Sequence, residues 1–445
     1  MHRRTPSPSG HVQLSRRRVA LGIAALPLLA TTGRAATADV RQVRITDFDA
    51  VADDATVNTK AIQSAIDHRA AQGGGTVVVP RGTFVSGALF LKPKVNLHLE
   101  AGAILKCSTD LSNFPVQRTR IEGHFEPAFN PGLINAKGCD GLRITGPGTL
   151  DGNGRPIWDL FWKMRNAAPD PHNFPNIGLP RARLAVIEDS RDVVIDGPTF
   201  KDSQFWNLHL YRCRDVQVLN THFEVPDDYK QAPSTDGIDI DSCQGVIIDG
   251  CSFSVTDDCI AAKGSKGVHA LDDTDSPPVE RIRIRNCDFK RGYGLLTCGS
   301  EATVVRDVIV ENCRIGEVQA LVLKLRPDTP QLYENIHLRH LEVTSDRGQL
   351  LILRPWTQYA DLKGAPPPSS TVRHISIEGV KGHCGSLGVI AGNPGQSEIA
   401  DILLKDIDVQ LATSPAIKAQ AMPGLRFENV MVDGKPFSLN AHPKY

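Results

Sequence analysis

The 445-residue chain is long enough to bury a large core, and its length suggests two or three domains unless one elongated repeat fold takes up all of it. The 50 Lys and Arg residues balance 50 Asp and Glu residues. Loss of residues 1–38 would remove six arginines and leave 44 basic against 50 acidic residues. This weakly acidic balance argues against nucleic acid or an anionic membrane as a partner.

The N-terminus has the composition of an export signal. Three arginines at 16–18 precede an apolar run over 19–30, and Ala-Thr-Ala at 36–38 is typical of a cleavage site. The apolar run is shorter than the roughly 20 residues that span a membrane. Adjacent arginines are typical of the twin-arginine route, and an ordinary secretory signal with extra positive charge is the alternative. We predict an export signal over residues 1–38 and a periplasmic or secreted protein.

The first element predicted after the signal is a helix. In VNTKAIQSAIDHRAA (57–71), apolar residues recur at helical spacing after a polar start. The β-branched run that begins at residue 73 predicts strands, and we expect the helix to cover the open end of the coil that they form. Residues 123–180 and the Pro-rich segment 357–371 are predicted as long lateral loops.

A short pattern recurs along the rest of the chain: alternating apolar residues, a turn, and two further inward positions. The copies are 23 to 30 residues apart, with longer gaps of 36, 39 and 51 residues that fit inserted loops. A period in the twenties with β-branched alternation predicts an all-β parallel β-helix. Nothing marks a second domain, so 39–445 is predicted as one β-helix domain. The first apolar residues of the copies, the anchors, are Leu142, Val193, Val216, Val246, Ile282, Val308, Ile336, Ile375, Ile402 and Leu425.

The same register predicts columns of like side chains inside the β-helix. Equivalent residues of successive coils lie about 4.8 Å apart in such a fold. Seven residues after the anchors come Phe200, Phe223, Phe253 and Phe289, and five residues after them come Cys251, Cys287 and Cys313. We interpret the cysteines as buried thiols, with disulfides as the alternative.

Two acidic clusters, STDGIDID (234–241) and TDDC (256–259), stand out because adjacent carboxylates repel each other and are costly to bury. Counting along the register places Asp236, Asp257, Asp258, Tyr293 and Lys324 on one strip of four neighbouring coils. Carboxylates about 6.5–9.5 Å apart would leave room for a water molecule, as an inverting glycosidase requires. We therefore predict a catalytic site on this strip.

The alternative for these acids is a ladder of turn residues that is solvated or holds Ca²⁺. Asp239 and Asp241 alternate with isoleucines and fit that interpretation. A polysaccharide lyase on the same fold would need a calcium site and a basic residue, for which Asp239, Asp241, Asp257 and Lys263 are candidates. A glycan-binding β-helix without catalysis is a third possibility.

The segment STDGIDIDSCQGVIIDGCSFSVTDDCIAAKG resembles the polygalacturonase family, glycoside hydrolase family 28, whose members carry NTDG and, one coil later, GDDC followed by a lysine. GTLDGNG (148–154) and the later coils extend the resemblance over nearly all of the mature chain. It implies a right-handed parallel β-helix that hydrolyses pectic polysaccharide with inversion, without a metal or other cofactor. It also implies Asp257 as the general acid, with Asp236 and Asp258 activating the water.

Two departures from the family pattern concern the substrate. The family's Gly-His-Gly is Gly-Tyr-Gly around Tyr293, and its Arg-x-Lys has Val322 in place of the arginine. The resemblance implies that Tyr293 and Lys324 bind substrate, and Arg326 is a further candidate. The missing arginine predicts altered sugar recognition, as in rhamnogalacturonan or a branched pectin, more than lost chemistry.

The remaining expectations concern the shape of the cleft and the partners. Four aromatic residues are candidates to stack on sugars. If the enzyme acts from chain ends, the 123–180 loop is expected to block the cleft. We expect a polysaccharide substrate and a monomer. The four aromatic candidates are Trp158, Trp162, Trp206 and Tyr211.

Overall fold

The computed structural model describes residues 41–419, 422 and 424–438, and this part of the chain is a right-handed parallel β-helix. Each coil contributes to three ladders, in which a strand pairs in parallel with its equivalents one coil before and one coil after. The fold class predicted from the repeat is confirmed. The predicted export signal lies outside the described residues, so the signal and the domain boundary at residue 39 stay predictions.

The strands fall into three ladders and a set of longer strands. The short strands of the first ladder are Gln42–Arg44, Gly75–Val79, Val95–Leu99, Arg143–Thr145, Arg191–Asp196, Arg214–Leu219, Gln244–Asp249 and Val279–Arg285. Those of the second are Gly82–Ser86, Ala103–Cys107, Thr149–Asp151, Thr199–Lys201, His222–Glu224 and Ser252–Ser254. Those of the third are Leu89–Leu91, Ile134–Lys137, Ala185–Glu188, Leu208–Tyr211, Ile238–Asp241, Ile260–Lys263, Gln349–Pro355, Ser386–Ile390 and Ile417–Ala419. Strands that contribute to two or three ladders are Asp288–Cys298, Val304–Leu325, Gln331–Thr344, Ser370–Cys384, Ser397–Leu411 and Leu425–Val432.

Few elements lie outside the coils. Gln117–Ile121 and His124–Phe129 form an antiparallel hairpin, and Lys435–Pro436 pairs antiparallel with the last long strand. Helix α1 is Thr59–Ala71 and helix α2 is Arg155–Ala167. Among the described residues, no helix is long and apolar enough to cross a membrane. The short 3₁₀ helices are Ile45–Phe48, Leu111–Asn113, Asn176–Gly178 and Ala270–Asp272.

Helix α1 confirms the predicted cap of the first coil. Its apolar face buries Ile62, Ala65 and Ile66, and the helix packs against the first strands of the ladders. This covers core that would otherwise meet water at the open end.

The prediction of a lateral loop over 123–180 is only partly right. The stretch contains three coil strands and helix α2, which buries Ile157, Trp158 and Phe161. These residues recur at helical spacing, and Pro156 lies in the first turn of the helix, where a missing amide hydrogen costs nothing. The segment between Pro355 and Ser370 is a loop, as predicted.

The register of the repeat is as predicted. From Val193 to Leu425, each anchor pairs with the anchor of the next coil. The residue before each of these anchors turns the chain in the left-handed region, with φ between 51° and 75°. Asp, Asn and Gly tolerate this conformation best, which is why they recur there. These turn residues are Asp192, Asp215, Gly245, Arg281, Asp307, Asn335, His374, Asp401 and Gly424.

The interior columns are also confirmed. Successive rings of the phenylalanine column lie 5.1, 4.9 and 4.8 Å apart between centroids and are stacked. All ten cysteines lie in the described part of the chain, and all are buried and free. The thiol interpretation therefore holds, and the disulfide alternative does not.

Candidate active site

The third ladder carries the candidate site on its outer face. Along one row of this face Asp239 pairs with Ala261, and Thr297, Val322 and Ile352 follow in register on later coils. Two residues further along the strands lies a second row, to which Lys263, Lys324 and Arg354 belong. Side chains two residues apart share a face of a strand, so this register gathers charged residues that are far apart in the sequence.

An open cavity of about 290 Å³ lies against this face. It contains all five residues of the predicted strip: Asp236, Asp257, Asp258, Tyr293 and Lys324. The structure thus brings these residues together as the register predicted, while their roles stay predictions. The other lining residues are Glu122, Asn176, Trp206, Ser234, Thr256, Lys263, Ser300, Glu301, Trp356, Gln358 and Tyr359.

Three carboxylates converge in the cavity. Asp236, Asp257 and Asp258 each have one carboxylate oxygen in a group of three oxygens that all lie within 4.8 Å of one another. Asp257 lies in a bend between two strands, which lets both members of the Asp-Asp pair reach the same side, as predicted. The expected spread of 6.5–9.5 Å is not present between the nearest oxygens, because adjacent coils hold the three residues closer together.

Asp258 is hydrogen-bonded to a cation and to a hydroxyl group. The Lys324 ammonium donates a hydrogen bond to it at 3.2 Å, and the Thr297 hydroxyl donates another. Burial is the largest influence and lowers the pKa of Lys324, but Asp258, Asp257 and Tyr293 together outweigh it and raise the pKa of the lysine. Asp258 is therefore the carboxylate of the three with a dedicated cation.

Asp257 and Asp236 are held towards the protonated form. Burial, and then the charge of Asp258, raise the pKa of Asp257. Burial, and then the charge of Asp257, raise the pKa of Asp236 well above its usual value, although Lys263 opposes the shift. One Asp257 oxygen accepts the backbone amide of Asp258 at 3.0 Å. The site therefore combines one ion-paired carboxylate with two that retain protons more readily.

Lys263 lies at the centre of a second group of acids. Its nitrogen is 3.8 Å from Asp236, 3.8 Å from Asp239 and 3.9 Å from Glu301. Although burial opposes ionisation, Lys263 and other cations lower the pKa of Glu301 to about 2. Both oxygens of Asp239 are buried without a hydrogen-bond partner, and burial raises its pKa well above the usual value. One lysine thus compensates several buried carboxylates.

Asp239 and Asp241 are not solvated turn residues, which corrects that interpretation. Both are buried, at 0% and 1% exposure. Asp241 pairs with Arg120 at 3.2 Å and with His209 at 3.5 Å, which ties the Gln117–Phe129 hairpin to the coils. Its partners hold the pKa of Asp241 low despite burial. The calcium set that a lyase would need is therefore not assembled by these residues.

The substrate-binding candidates occupy different surroundings. The Tyr293 amide donates to the Asp257 carbonyl at 2.8 Å, which places it beside the acids. The Lys324 nitrogen lies 5.2 Å from the Tyr293 ring centroid and 4.7 Å from that of Trp356. Arg326 is instead buried in a bidentate pair with Asp328 and lines a neighbouring cavity. Because its guanidinium is paired with Asp328, nothing in the contacts of Arg326 supports a role in binding sugar.

Most of the aromatic candidates for sugar stacking are used in packing. Trp158 and Tyr211 are buried and donate to the carbonyls of Ser203 and Asp275. Trp162 donates to a loop carbonyl and does not line the cavity. Trp206 does line it, with Lys263 5.1 Å from its ring centroid. Sequence reasoning missed Trp356, which lies in a loop outside the repeat.

Loops line one side of the cavity. The Tyr359 hydroxyl donates to the Phe174 carbonyl at 2.9 Å and joins the loop after Pro355 to the segment that carries Asn176. The hairpin tip contributes Glu122 and packs so closely that a Cβ at Gly123 would lie 2.8 Å from the Glu301 Cβ. Part of the 123–180 stretch thus lies against the cavity, where it would have to lie in order to block the cleft.

The family model described as glycosyl hydrolases family 28 matches residues 126–425. The chain belongs to this family. A further model, rhamnogalacturonase A/epimerase, pectate lyase-like, matches residues 42–112. As a member of this family, the chain is a polygalacturonase-like glycoside hydrolase.

Relatives of this family 28 chain are divergent. A probable polygalacturonase of Vitis vinifera is 24% identical over 396 residues, covering 85% of this chain and 75% of the relative. An exopolygalacturonase of Zea mays is 29% identical over 348 residues, covering 76% and 73%. The crystal structure of a hyperthermoactive exopolygalacturonase from Thermotoga maritima superposes with a TM-score of 0.71 at 22% identity, covering 89% of this chain and 93% of that one. This structural likeness supports the β-helix fold.

Proposed function

We propose that the chain hydrolyses galacturonosidic linkages of polygalacturonan or rhamnogalacturonan by a single inverting displacement, and that it acts from chain ends. The observation that carries the proposal is the convergence of Asp236, Asp257 and Asp258 within 4.8 Å in a cavity that also holds two lysines. Three carboxylates and fixed cations suit acid–base cleavage of a glycosidic bond in an anionic polysaccharide.

In the proposed mechanism Asp257 is the general acid. Its raised pKa keeps it protonated at a pH where an ordinary aspartate is ionised, so it can protonate the leaving oxygen. Asp258, ion-paired with Lys324, and Asp236 hold the attacking water. Oxygens up to 4.8 Å apart can both lie about 2.7 Å from one bridging water. The water attacks the anomeric carbon, its proton passes to the Asp258 carboxylate, and the configuration inverts.

The spacing of the carboxylates bears on whether the anomeric configuration is inverted or retained. The spacing between the nearest carboxylate oxygens is closer to the roughly 5–5.5 Å of retaining enzymes than to the 6.5–9.5 Å of inverting ones. Inversion is supported by the resemblance and by the ability of two carboxylates to share one water. Direct observation of the first product anomer decides between the two outcomes.

Chain-end action is supported by the loops that line one side of the cavity. The Tyr359–Phe174 hydrogen bond and the hairpin tip leave less room for a polysaccharide to pass straight through. Several relatives are exopolygalacturonases by name, including those of Zea mays and Thermotoga maritima. Both observations favour binding of a chain terminus.

The product pattern tests this proposal. Polygalacturonate, rhamnogalacturonan and xylogalacturonan are incubated separately, and reducing ends, product lengths and viscosity are followed. We expect one short product from the earliest times, with little loss of viscosity, on at least one of the first two substrates. A broad ladder of oligomers with rapid loss of viscosity would contradict chain-end action. No reducing ends from any of the three would contradict the proposed activity.

Replacement of Lys324 with methionine should move the pH profile. Lys324 lowers the pKa of Asp257, so its removal raises the pKa of the proposed acid. We expect the high-pH limb of the kcat/KM profile, which reports this acid, to shift to higher pH by about one unit or more. Lys381→Met, at an exposed site outside the cavity, is the matched control and should leave the limbs unchanged. A shift to lower pH, or none, would argue against this role of Asp257.

A further inference from the structure

A further cation, Arg354, lies beside Lys324 and contacts two residues of the cavity lining. Arg354 pairs in register with Lys324, one coil further along the third ladder, and its side chain is exposed. Its Nη2 donates to the Tyr293 hydroxyl at 3.1 Å, and its guanidinium lies 5.6 Å from the Trp356 ring centroid. Tyr293 and Trp356 therefore contact both cations, and Arg354 is positioned by the cavity wall.

The charge of Arg354 is not neutralised within the protein. Among the described residues, no carboxylate lies within 4.0 Å of its guanidinium nitrogens, whereas Arg373 on the next coil pairs with Glu334. Lys324, its nearest neighbour in register, already pairs with Asp258. Two like charges facing the same aromatic rings repel each other, and a bound anion would relieve that repulsion.

The neighbouring groups suit a carboxylated sugar more than a simple anion. A guanidinium binds a carboxylate through two parallel hydrogen bonds. The Tyr293 oxygen accepts from Arg354, which leaves its own hydrogen free to be donated to a carboxylate or ring hydroxyl. Trp356 lines the cavity and offers an aromatic face for a sugar ring.

Val322 stands where the family pattern has an arginine, and it cannot supply a positive charge to the substrate. It is fully buried between Thr297 and Ile352 in the neighbouring row. The two lysines of the cavity pair with its aspartates, and Arg354 is the exposed residue of the lysine row on the next coil.

We propose that Arg354, together with the Tyr293 hydroxyl, binds the carboxylate of a uronate ring next to the three aspartates and makes the site selective for unesterified galacturonate. This inference rests on the proposed function, because it assigns the acidic unit of the same substrate. Arg354 acts as a specificity-determining residue and takes no part in the proton transfers. Selectivity should therefore appear in binding and KM more than in kcat.

The test compares a galacturonate oligomer with its methyl ester. Arg354→Gln should weaken binding of the free acid by about ten-fold or more, measured by calorimetry in the hydrolysis-deficient Asp257→Asn background. Binding of the methyl ester, which lacks the charge, should change by less than about two-fold. In the otherwise wild-type enzyme the same substitution should raise KM for the free acid with a smaller change in kcat, and Arg354→Lys should restore part of the affinity.

Arg347→Gln is the charge-matched control. Arg347 is exposed at a bend and, unlike Arg354, has no side-chain hydrogen bond or ring contact with Tyr293 or Trp356, so its loss should leave both affinities unchanged. Equal weakening of acid and ester in Arg354→Gln, an effect no larger than that of the control, or no binding of the free acid at all would overturn the inference. If binding depends on Arg354 but no pectic substrate is cleaved, the inference stands and the proposed function fails.

Discussion

Asp257→Asn should lower kcat on the cleaved pectic substrate by about 10²- to 10⁴-fold, the range expected when a general acid is removed. The asparagine oxygen can still accept the Asp258 amide, so the bend is preserved. An amide, however, cannot deliver the proton that the leaving oxygen needs. The rate is measured from reducing ends under saturating substrate.

Unfolding can be separated from lost chemistry in this variant. The pKa of Asp257 is raised in the folded state, so its ionisation above that pKa costs folding free energy, which asparagine removes. We therefore expect Asp257→Asn to be at least as stable as the wild type at pH 7. Asp227→Asn, at a side chain that is 96% exposed, is the control and should keep its rate within about two-fold. A variant with more than a tenth of the wild-type rate would rule out Asp257 as the acid.

Lys263→Met should destabilise the fold by about 3–5 kcal/mol at pH 7, as is typical when one partner of a buried charge cluster is removed. Lys263 is only 7% exposed and lies within 3.9 Å of Asp236, Asp239 and Glu301. Methionine fills a similar volume but leaves these carboxylates without their shared cation. The free energy of unfolding is measured by urea denaturation.

The pH dependence identifies the cause of this loss. Without Lys263, the pKa values of Asp236 and Asp239 rise further above the unfolded value of about 3.9, so ionising these groups opposes folding more strongly as the pH increases. The destabilisation should therefore be smaller at pH 5 than at pH 7. Lys137→Met, at a side chain 71% exposed, should cost less than about 1 kcal/mol. An equal loss at both pH values would indicate a packing defect.

The fold was predictable because its signal is local. Each coil repeats an anchor such as Val246 and a left-handed turn residue such as Asp215, and both can be recognised within a few residues of sequence. Helix α2 was missed because it interrupts the repeat and has a proline as its second residue. Its buried face is apparent only once a helix is assumed.

The site was predictable where the register carries it and hidden where loops do. Asp236, Asp257 and Lys324 follow from counting along the coils, whereas that count did not place Glu301 or Trp356, which lie in connecting segments. Arg120 pairs with Asp241 across 121 residues, and no local pattern indicates this contact. Arg354 lies on a coil strand, and only its hydrogen bond to Tyr293 distinguishes it from other exposed basic residues.

Proton NMR of the earliest product from polygalacturonate tests the central claim most directly. If three converging carboxylates direct one water to the anomeric carbon of an α-linked galacturonate, the β-anomer must appear first and equilibrate with the α-anomer only later, by mutarotation. Initial release of the α-anomer would contradict the single displacement. The absence of any new anomeric signal from polygalacturonate or rhamnogalacturonan would contradict the assignment of the site itself.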